Sequence, residues 1–186
     1  MSEEALPKVE EVQKPSTFRI WQAGVVDILI SLAVSAFIII FLYQPVKVEG
    51  TSMMPGLTDQ ERIFINKFVY KIEPISRGDV IVFRYPLDPS KSYIKRVVAV
   101  AGDRVKIDDG ILYVNGRRVP EPYVPTDYDD TRTYPATTVP AGSYFVLGDH
   151  RNLSNDSRDF GPVPEALIYG KAVFAYWPMD KVGTLH

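Results

Sequence analysis

The sequence predicts a mainly β, antiparallel, barrel-like domain behind one N-terminal transmembrane helix. Two patterns predict it. Residues 20–43 form a nearly unbroken apolar run, and from Val46 onward apolar and polar residues alternate at period two in short runs separated by Pro and Gly. A chain of 186 residues has room for one ordinary domain plus such an appendage.

Residues 1–19 are polar, with Glu3, Glu4, Glu10 and Glu11 beside Lys8, Lys14 and Arg19, and Pro7 and Pro15 oppose a helix. A flexible tail is expected there. Residues 20–43 number 24 and read IWQAGVVDILISLAVSAFIIIFLY. At 1.5 Å per residue they make a helix of roughly 36 Å, against a hydrocarbon core of about 30 Å. A secretory signal peptide has an apolar region of only about 7–15 residues and a small-residue cleavage site after it. The segment QPVKVEG that follows offers no such site, and the unbroken run from Ala36 to Leu42 suits a retained anchor better than a buried core helix. Asp27, Ser31 and Ser35 share one helix face. Either Asp27 reaches water near the helix end or the stripe packs against a partner. Lys8, Lys14 and Arg19 precede the run and only Lys47 follows closely. The tail is therefore expected in the cytoplasm and residues 44–186 outside, a single-pass topology in the cell membrane.

The strands follow in order: 61–68, 79–85, 93–101, 103–107, 111–119, 143–149 and 171–177. Asn115-Gly116 between ILYV and RRV signals a hairpin turn. Residues 120–140 are polar and Pro-rich, a surface loop or small subdomain, and 164–170 hints at a helical turn. There are no internal repeats.

Composition excludes several chemistries. A net charge of −2 without a basic run gives no footprint for nucleic acid. With no cysteine there is no disulfide, thiol nucleophile or thiolate metal site. The only histidines are His150 and the terminal His186, too few for the usual zinc ligand sets, and no metal or organic cofactor is expected.

Three segments can carry chemistry. In VEGTSMMPGL (48–57), Gly50 permits unusual backbone and Pro55 stops a central strand, so Ser52 sits at a strand end within reach of a substrate. In SYIKRVVAVAGD (92–103), Lys95 and Arg96 lie on opposite faces of an otherwise apolar strand. Arg96 cannot lose its proton and must be paired or wet. Lys95 can become neutral if buried, and a neutral lysine is a general base. The third, GDHRNLSNDSRDFGPVP (148–164), is a polar loop dense in Asp, Asn, Ser and Arg. Each also has an ordinary structural reading: a Ser-Gly turn, a lysine snorkelling to water, and a hydrogen-bonded loop. A nucleophilic Ser52 needs a base, and spacing leaves both His150 and Lys95 open.

Taken together, in this order and behind one span, these segments resemble the type I (leader) signal peptidases of peptidase family S26, in their single-span branch. Ser52, Met53 and Pro55 match the S-M-x-P box, and Lys95, Arg96, Gly102 and Asp103 match the K-R strand and its following G-D. Gly148, Asp149, Arg151, Ser154, Asp156, Ser157 and Arg158 match the G-D-x-R…S-x-D-S-R box, and RGDVIVFRYP (77–86) matches a fourth segment. The likeness covers nearly all of 18–178. It implies Ser52 as nucleophile, Lys95 as base, Ser154 hydrogen-bonded to the Lys95 amine, and Asp156 and Arg158 as a structural pair. It also implies the Ser52 backbone N–H as oxyanion donor. Gly50 stands where other members carry a second, hydroxyl donor. His150 departs from the usual Asn, and Gly56 from a frequent Thr.

The implied activity is a membrane-bound serine endopeptidase that removes signal peptides from membrane-inserted precursors, with the lipid bilayer as its other partner. Two alternatives stand beside it. One is a related Ser-Lys maturation protease of a conjugation or secretion system, and the other a membrane-tethered β scaffold that catalyses nothing.

Overall fold

A computed structural model describes residues 17–185; the polar tail expected over 1–19 lies almost wholly outside that range. The chain divides into two compact units, residues 1–40 and 41–186. The first contains most of helix α1, Thr17–Leu42, which is 26 residues long. Its described large apolar side chains are exposed, from Trp21 at 70 % to Ile38 at 44 % and Phe41 at 61 %. Among the described residues no helix is long and apolar enough to cross a membrane.

The second unit is antiparallel β, as the alternation predicts. The larger sheet is built from β1 (Tyr43–Lys47), β2 (Arg62–Asn66), β3 (Val80–Tyr85) and β4 (Asp88–Ala99). The smaller sheet contains β5 (Arg104–Asp108), β6 (Ile111–Val114), β7 (Arg117–Arg118) and β8 (Tyr134–Thr138). The chain then returns to the larger sheet with β9 (Ser143–Leu147), β10 (Val163–Pro164), β11 (Ile168–Trp177) and β12 (Gly183–Thr184). The larger sheet runs β1-β2-β11-β3-β4-β9-β10, with β12 on β11, and the smaller runs β7-β6-β5-β8. Among the described residues the pairing gives two antiparallel sheets, in line with the antiparallel β-sheet architecture expected from the sequence.

Each strand forms for a readable reason. RIFIN buries Ile63 and Ile65 completely and leaves Arg62 exposed, the pattern of a half-buried strand. β3 is buried from Val80 to Phe83, as befits a strand between β11 and β4. Asn115 and Gly116 take φ of +54° and +77°, the left-handed pair of a tight β6–β7 hairpin. Strand β8 carries Pro135, tolerated because β8 is an edge of its sheet. A short helix, α2 (Ser157–Phe160), starts in a capping box: the Asp156 side chain accepts from the helix N–H groups while Asp159 accepts from the Asp156 N–H.

Three apolar clusters result. One surrounds Val48, Met53, Leu57 and Ile63 beneath the Ser52 turn. A second holds Ile81, Phe83, Val97 and Val146 under β3, β4 and β9. The third, with Val105, Ile107, Leu112 and Phe145, joins the smaller sheet to β4 and β9. Burial of this kind contributes about 25 cal/mol per Å² of apolar surface. It anchors both the turn that bears Ser52 and the strand that bears Lys95.

Candidate active site

Ser52 lies in a turn five residues beyond Lys47, the last residue of β1. The turn closes with the Met54 N–H donating to the Thr51 carbonyl at 3.1 Å and the Leu57 N–H to the Met53 carbonyl at 2.9 Å. Met53 and Leu57 are buried to 2 % exposure each and pin the turn to the core. Gly50 takes φ +96°, a conformation that side-chain-bearing residues rarely adopt. Its N–H donates to Asp59 Oδ1 at 2.8 Å, which holds the Asp59 carboxyl below its ordinary range. This N–H is therefore already engaged.

Lys95 comes from the middle of β4, paired with Ile81 of β3, and is only 4 % exposed. Its Nζ lies 2.6 Å from Ser52 Oγ and donates to the Ile94 carbonyl at 3.0 Å. The Tyr93 ring is 5.3 Å from Nζ. Burial pushes the Lys95 amine down from 10.5 to about 8; Asp156 and Asp149 pull it up in part, and Arg158 adds to the lowering. At pH 7 roughly one amine in ten is then neutral, against a few in ten thousand for an unperturbed lysine. Where the amine is neutral, the Ser52 hydroxyl can donate to it.

Arg96 faces the other side of β4, as the alternation requires. It forms a two-pronged pair with Asp149, Nε to Oδ1 at 2.9 Å and Nη2 to Oδ2 at 2.7 Å, and donates to the Gly78 carbonyl at 2.9 Å. The pair fastens the start of the 148–158 loop to β4. Gly148 lies at the closest approach: a Cβ there would strike Ser154 Oγ and come within 2.5 Å of the Ser52 carbonyl oxygen. Only glycine lets the loop pass so near Ser52.

Asp156 and Arg158 form a second two-pronged pair, both contacts at 2.8 Å. Burial raises the Asp156 carboxyl, but Arg158 and the Gly148 N–H outweigh it and hold the group below its ordinary range. Ser154 is buried at 6 % exposure, and among the described residues its Oγ makes no hydrogen bond to Lys95. The implied Ser154–Lys95 bond is thus not formed here. His150, the other candidate base, does not reach Ser52 Oγ. Its Nδ1 lies 3.1 Å from the Thr51 carbonyl, and its ring centroid is 4.0 Å from that of Tyr128.

A cleft of about 720 Å³ opens beside Ser52 and Lys95. It is lined mainly by residues 46–52 and 91–95, together with Ile63, Val82, Leu153, Asn155 and Tyr169. Among the described residues no group of three or more His, Asp or Glu side chains gathers to hold a metal.

The polar loop after β7 contributes more than its sequence signals. Glu121 pairs with Arg151, and the Tyr123 ring lies 4.2 Å from the Arg96 guanidinium. Asp130 takes Arg158 at 2.6 Å, while Arg132 donates to the Arg151 and Ser154 carbonyls at 3.0 and 3.2 Å. No motif marks these residues; the only signal is a density of charged and aromatic side chains unusual for a free loop.

The sequence pattern described as "Signal peptidase, peptidase S26" matches residues 21–177. The chain belongs to this family. The signal peptidase I of Bacillus amyloliquefaciens is 37 % identical over 98 % of both chains. That of Bacillus caldolyticus is 40 % identical over 82 % of this chain and 89 % of its own. A solved signal peptidase I from Enterococcus faecalis is 34 % identical, with a TM-score of 0.48, over 54 % of this chain and 97 % of its own. As a member of the signal peptidase family the chain is a peptidase. The scaffold alternative falls with that membership.

Proposed function

We propose that this chain is a membrane-anchored signal peptidase I that cuts signal peptides from secreted precursors with Ser52 as nucleophile and Lys95 as general base. The observation that carries the reading is the 2.6 Å contact between Lys95 Nζ and Ser52 Oγ beside an open cleft. The lowered basicity of the amine supports it, because a base near pH 8 is matched to its task and an ordinary lysine is not.

Neutral Lys95 takes the Ser52 proton as Oγ attacks the scissile carbonyl. The Ser52 N–H, which has no acceptor among the described residues, donates to the developing oxyanion. The Lys95 ammonium returns the proton to the leaving amine, giving an acyl-enzyme and a free mature N-terminus. Lys95 then takes a proton from water, whose oxygen attacks the ester; as the acyl–Oγ bond breaks, the Lys95 ammonium returns that proton to Ser52 Oγ and the carboxylic acid leaves. Asp156 and Arg158 shape the loop around this centre without touching the reacting atoms.

The substrate enters as an added strand. Residues 92–95 of β4 bond to β3 on one side, while β9 covers β4 only from Arg96 onward, so the stretch facing the cleft has an open edge. The family resemblance implies a preference there for small residues one and three positions before the cut. Residues 20–43 anchor the enzyme, with the tail cytoplasmic and the catalytic unit outside. Support comes from the apolar run in the sequence and from the exposed apolar side chains of α1. Nine residues separate Leu42 from Ser52, so the nucleophile works within about 30 Å of the anchor. That suits a substrate held in the same bilayer.

The test is cleavage of a precursor with a small-x-small site in detergent. Wild type should cut it, and Ser52→Ala and Lys95→Ala should not. Full activity in either variant, or none in wild type, would overturn the proposal.

A further inference from the structure

The site reading leaves one buried, titratable side chain beside the nucleophile without a role. His150 is 7 % exposed and contacts the peptide groups on both sides of Ser52. Its Nδ1 lies 3.1 Å from the Thr51 carbonyl oxygen, and its own backbone N–H donates to the Ser52 carbonyl at 3.1 Å. A carbonyl oxygen can only accept, so Nδ1 carries a hydrogen. Tyr128, its ring centroid 4.0 Å away, holds the imidazole in that orientation.

The Thr51 carbonyl belongs to the same peptide unit as the Ser52 N–H. That unit is planar and trans, so the carbonyl and the N–H point in opposite directions. Gripping the oxygen from the His150 side therefore aims the Ser52 N–H away from His150. Thr51 and Ser52 line the substrate cleft and His150 does not. The Met54 N–H also donates to the Thr51 oxygen, at 3.1 Å. One bond leaves the peptide free to rock about that contact, whereas two donors on its two lone pairs define the plane. Donation to the carbonyl also polarises the peptide and strengthens its N–H as a donor.

We infer that His150 is a positioning residue for the oxyanion site: through Thr51 it orients the Ser52 N–H toward the substrate carbonyl. The inference rests on the Ser52–Lys95 reading above. It assigns His150 no proton transfer. An Nδ1–H donor is present in both the neutral tautomer and the imidazolium, so the grip holds in either charge state.

The experiment is steady-state cleavage of a small-x-small precursor by the full-length enzyme in detergent, comparing wild type, Ser52→Ala, His150→Ala, His150→Asn and His150→Gln. Asn can place its amide N–H where Nδ1 stands, and Gln places it too far out. Removing one oxyanion donor costs about 10²–10³ in rate, and misaiming one should cost His150→Ala roughly 10- to 100-fold in kcat. KM should stay within about threefold. His150→Asn should recover to within about threefold of wild type, and His150→Gln should not. A peptide aldehyde, which forms a tetrahedral adduct on Ser52, should lose affinity for His150→Ala while an uncleavable peptide does not. Wild-type kcat in His150→Ala, with Ser52→Ala inactive, would overturn the inference alone. So would Asn and Ala variants equally impaired with equally lowered melting temperatures, or loss of a limb of the pH profile in His150→Asn. An active Ser52→Ala would instead overturn the reading beneath it.

Discussion

Replacing Lys95 by Met tests the central physical claim, that the fold carries a lysine it would rather see neutral. The chains are similar in length, but Met never charges. Burial lowers the Lys95 amine from 10.5 to about 8. Below pH 8 the folded enzyme holds a buried ammonium that the unfolded chain would hydrate, and the gap corresponds to about 3 kcal/mol. The sign follows from proton binding. Between pH 8 and 10.5 the unfolded chain binds the proton and the folded chain does not, so wild-type stability rises with pH across that window and lies lowest below it. Lys95→Met removes this slope. It also loses the contacts to Ser52 and the Ile94 carbonyl, an offset that does not vary with pH. The stability of Lys95→Met relative to wild type should therefore fall by about 3 kcal/mol between pH 7 and pH 10.5. For a chain of this size that is roughly 6–12 °C in the difference between melting temperatures. Thermal melts of both proteins in the same detergent at several pH values give the answer. A difference that stays constant from pH 7 to pH 10.5 would refute the burial argument.

With Lys95 as the proposed base, the same amine sets the pH dependence of the rate. kcat/KM for precursor cleavage should rise about tenfold from pH 7 to pH 9 and level off above, because the neutral fraction grows from roughly 9 % to 91 %; a flat profile would exclude Lys95 as base. Gly148→Ala would drive a methyl group into Ser154 Oγ and toward the Ser52 carbonyl oxygen, so kcat should fall by at least about tenfold, read beside the melting temperature. Asp149→Ala removes the carboxylate that balances the buried Arg96 guanidinium and should cost about 3–5 kcal/mol, measured by denaturant unfolding, whereas the double change Arg96→Met, Asp149→Leu should recover much of it.

The strands were legible because each buries one face, which stamps period two on the residues: Ile63 and Ile65 in β2, or Leu112 and Val114 in β6. Strand β1 escaped because it follows the apolar run directly and contains Pro45, so neither its start nor its alternation stands out. Strand β8 escaped for a similar reason, Pro135 being acceptable only at the sheet edge that the fold gives it. Helix α2 announces itself only through Asp156 and Asp159, a capping signal too short to separate from loop chemistry.

By itself the sequence determined the parts of the site: a serine at a strand end, a lysine and an arginine on opposite faces of one apolar strand, and a polar loop to receive them. Motif order named the family those parts belong to. Local pattern could not say which side chain lies against the Ser52 hydroxyl, since Lys95 is 43 residues away and His150 farther still. The tertiary structure decided that. Pairing β4 between β3 and β9 buries Lys95 on one face and sends Arg96 to Asp149 on the other, and the passage past Gly148 sets His150 against the Thr51 carbonyl instead of the Ser52 hydroxyl. Long-range packing alone brings these groups within hydrogen-bond distance, and it alone removes the water that would keep Lys95 charged.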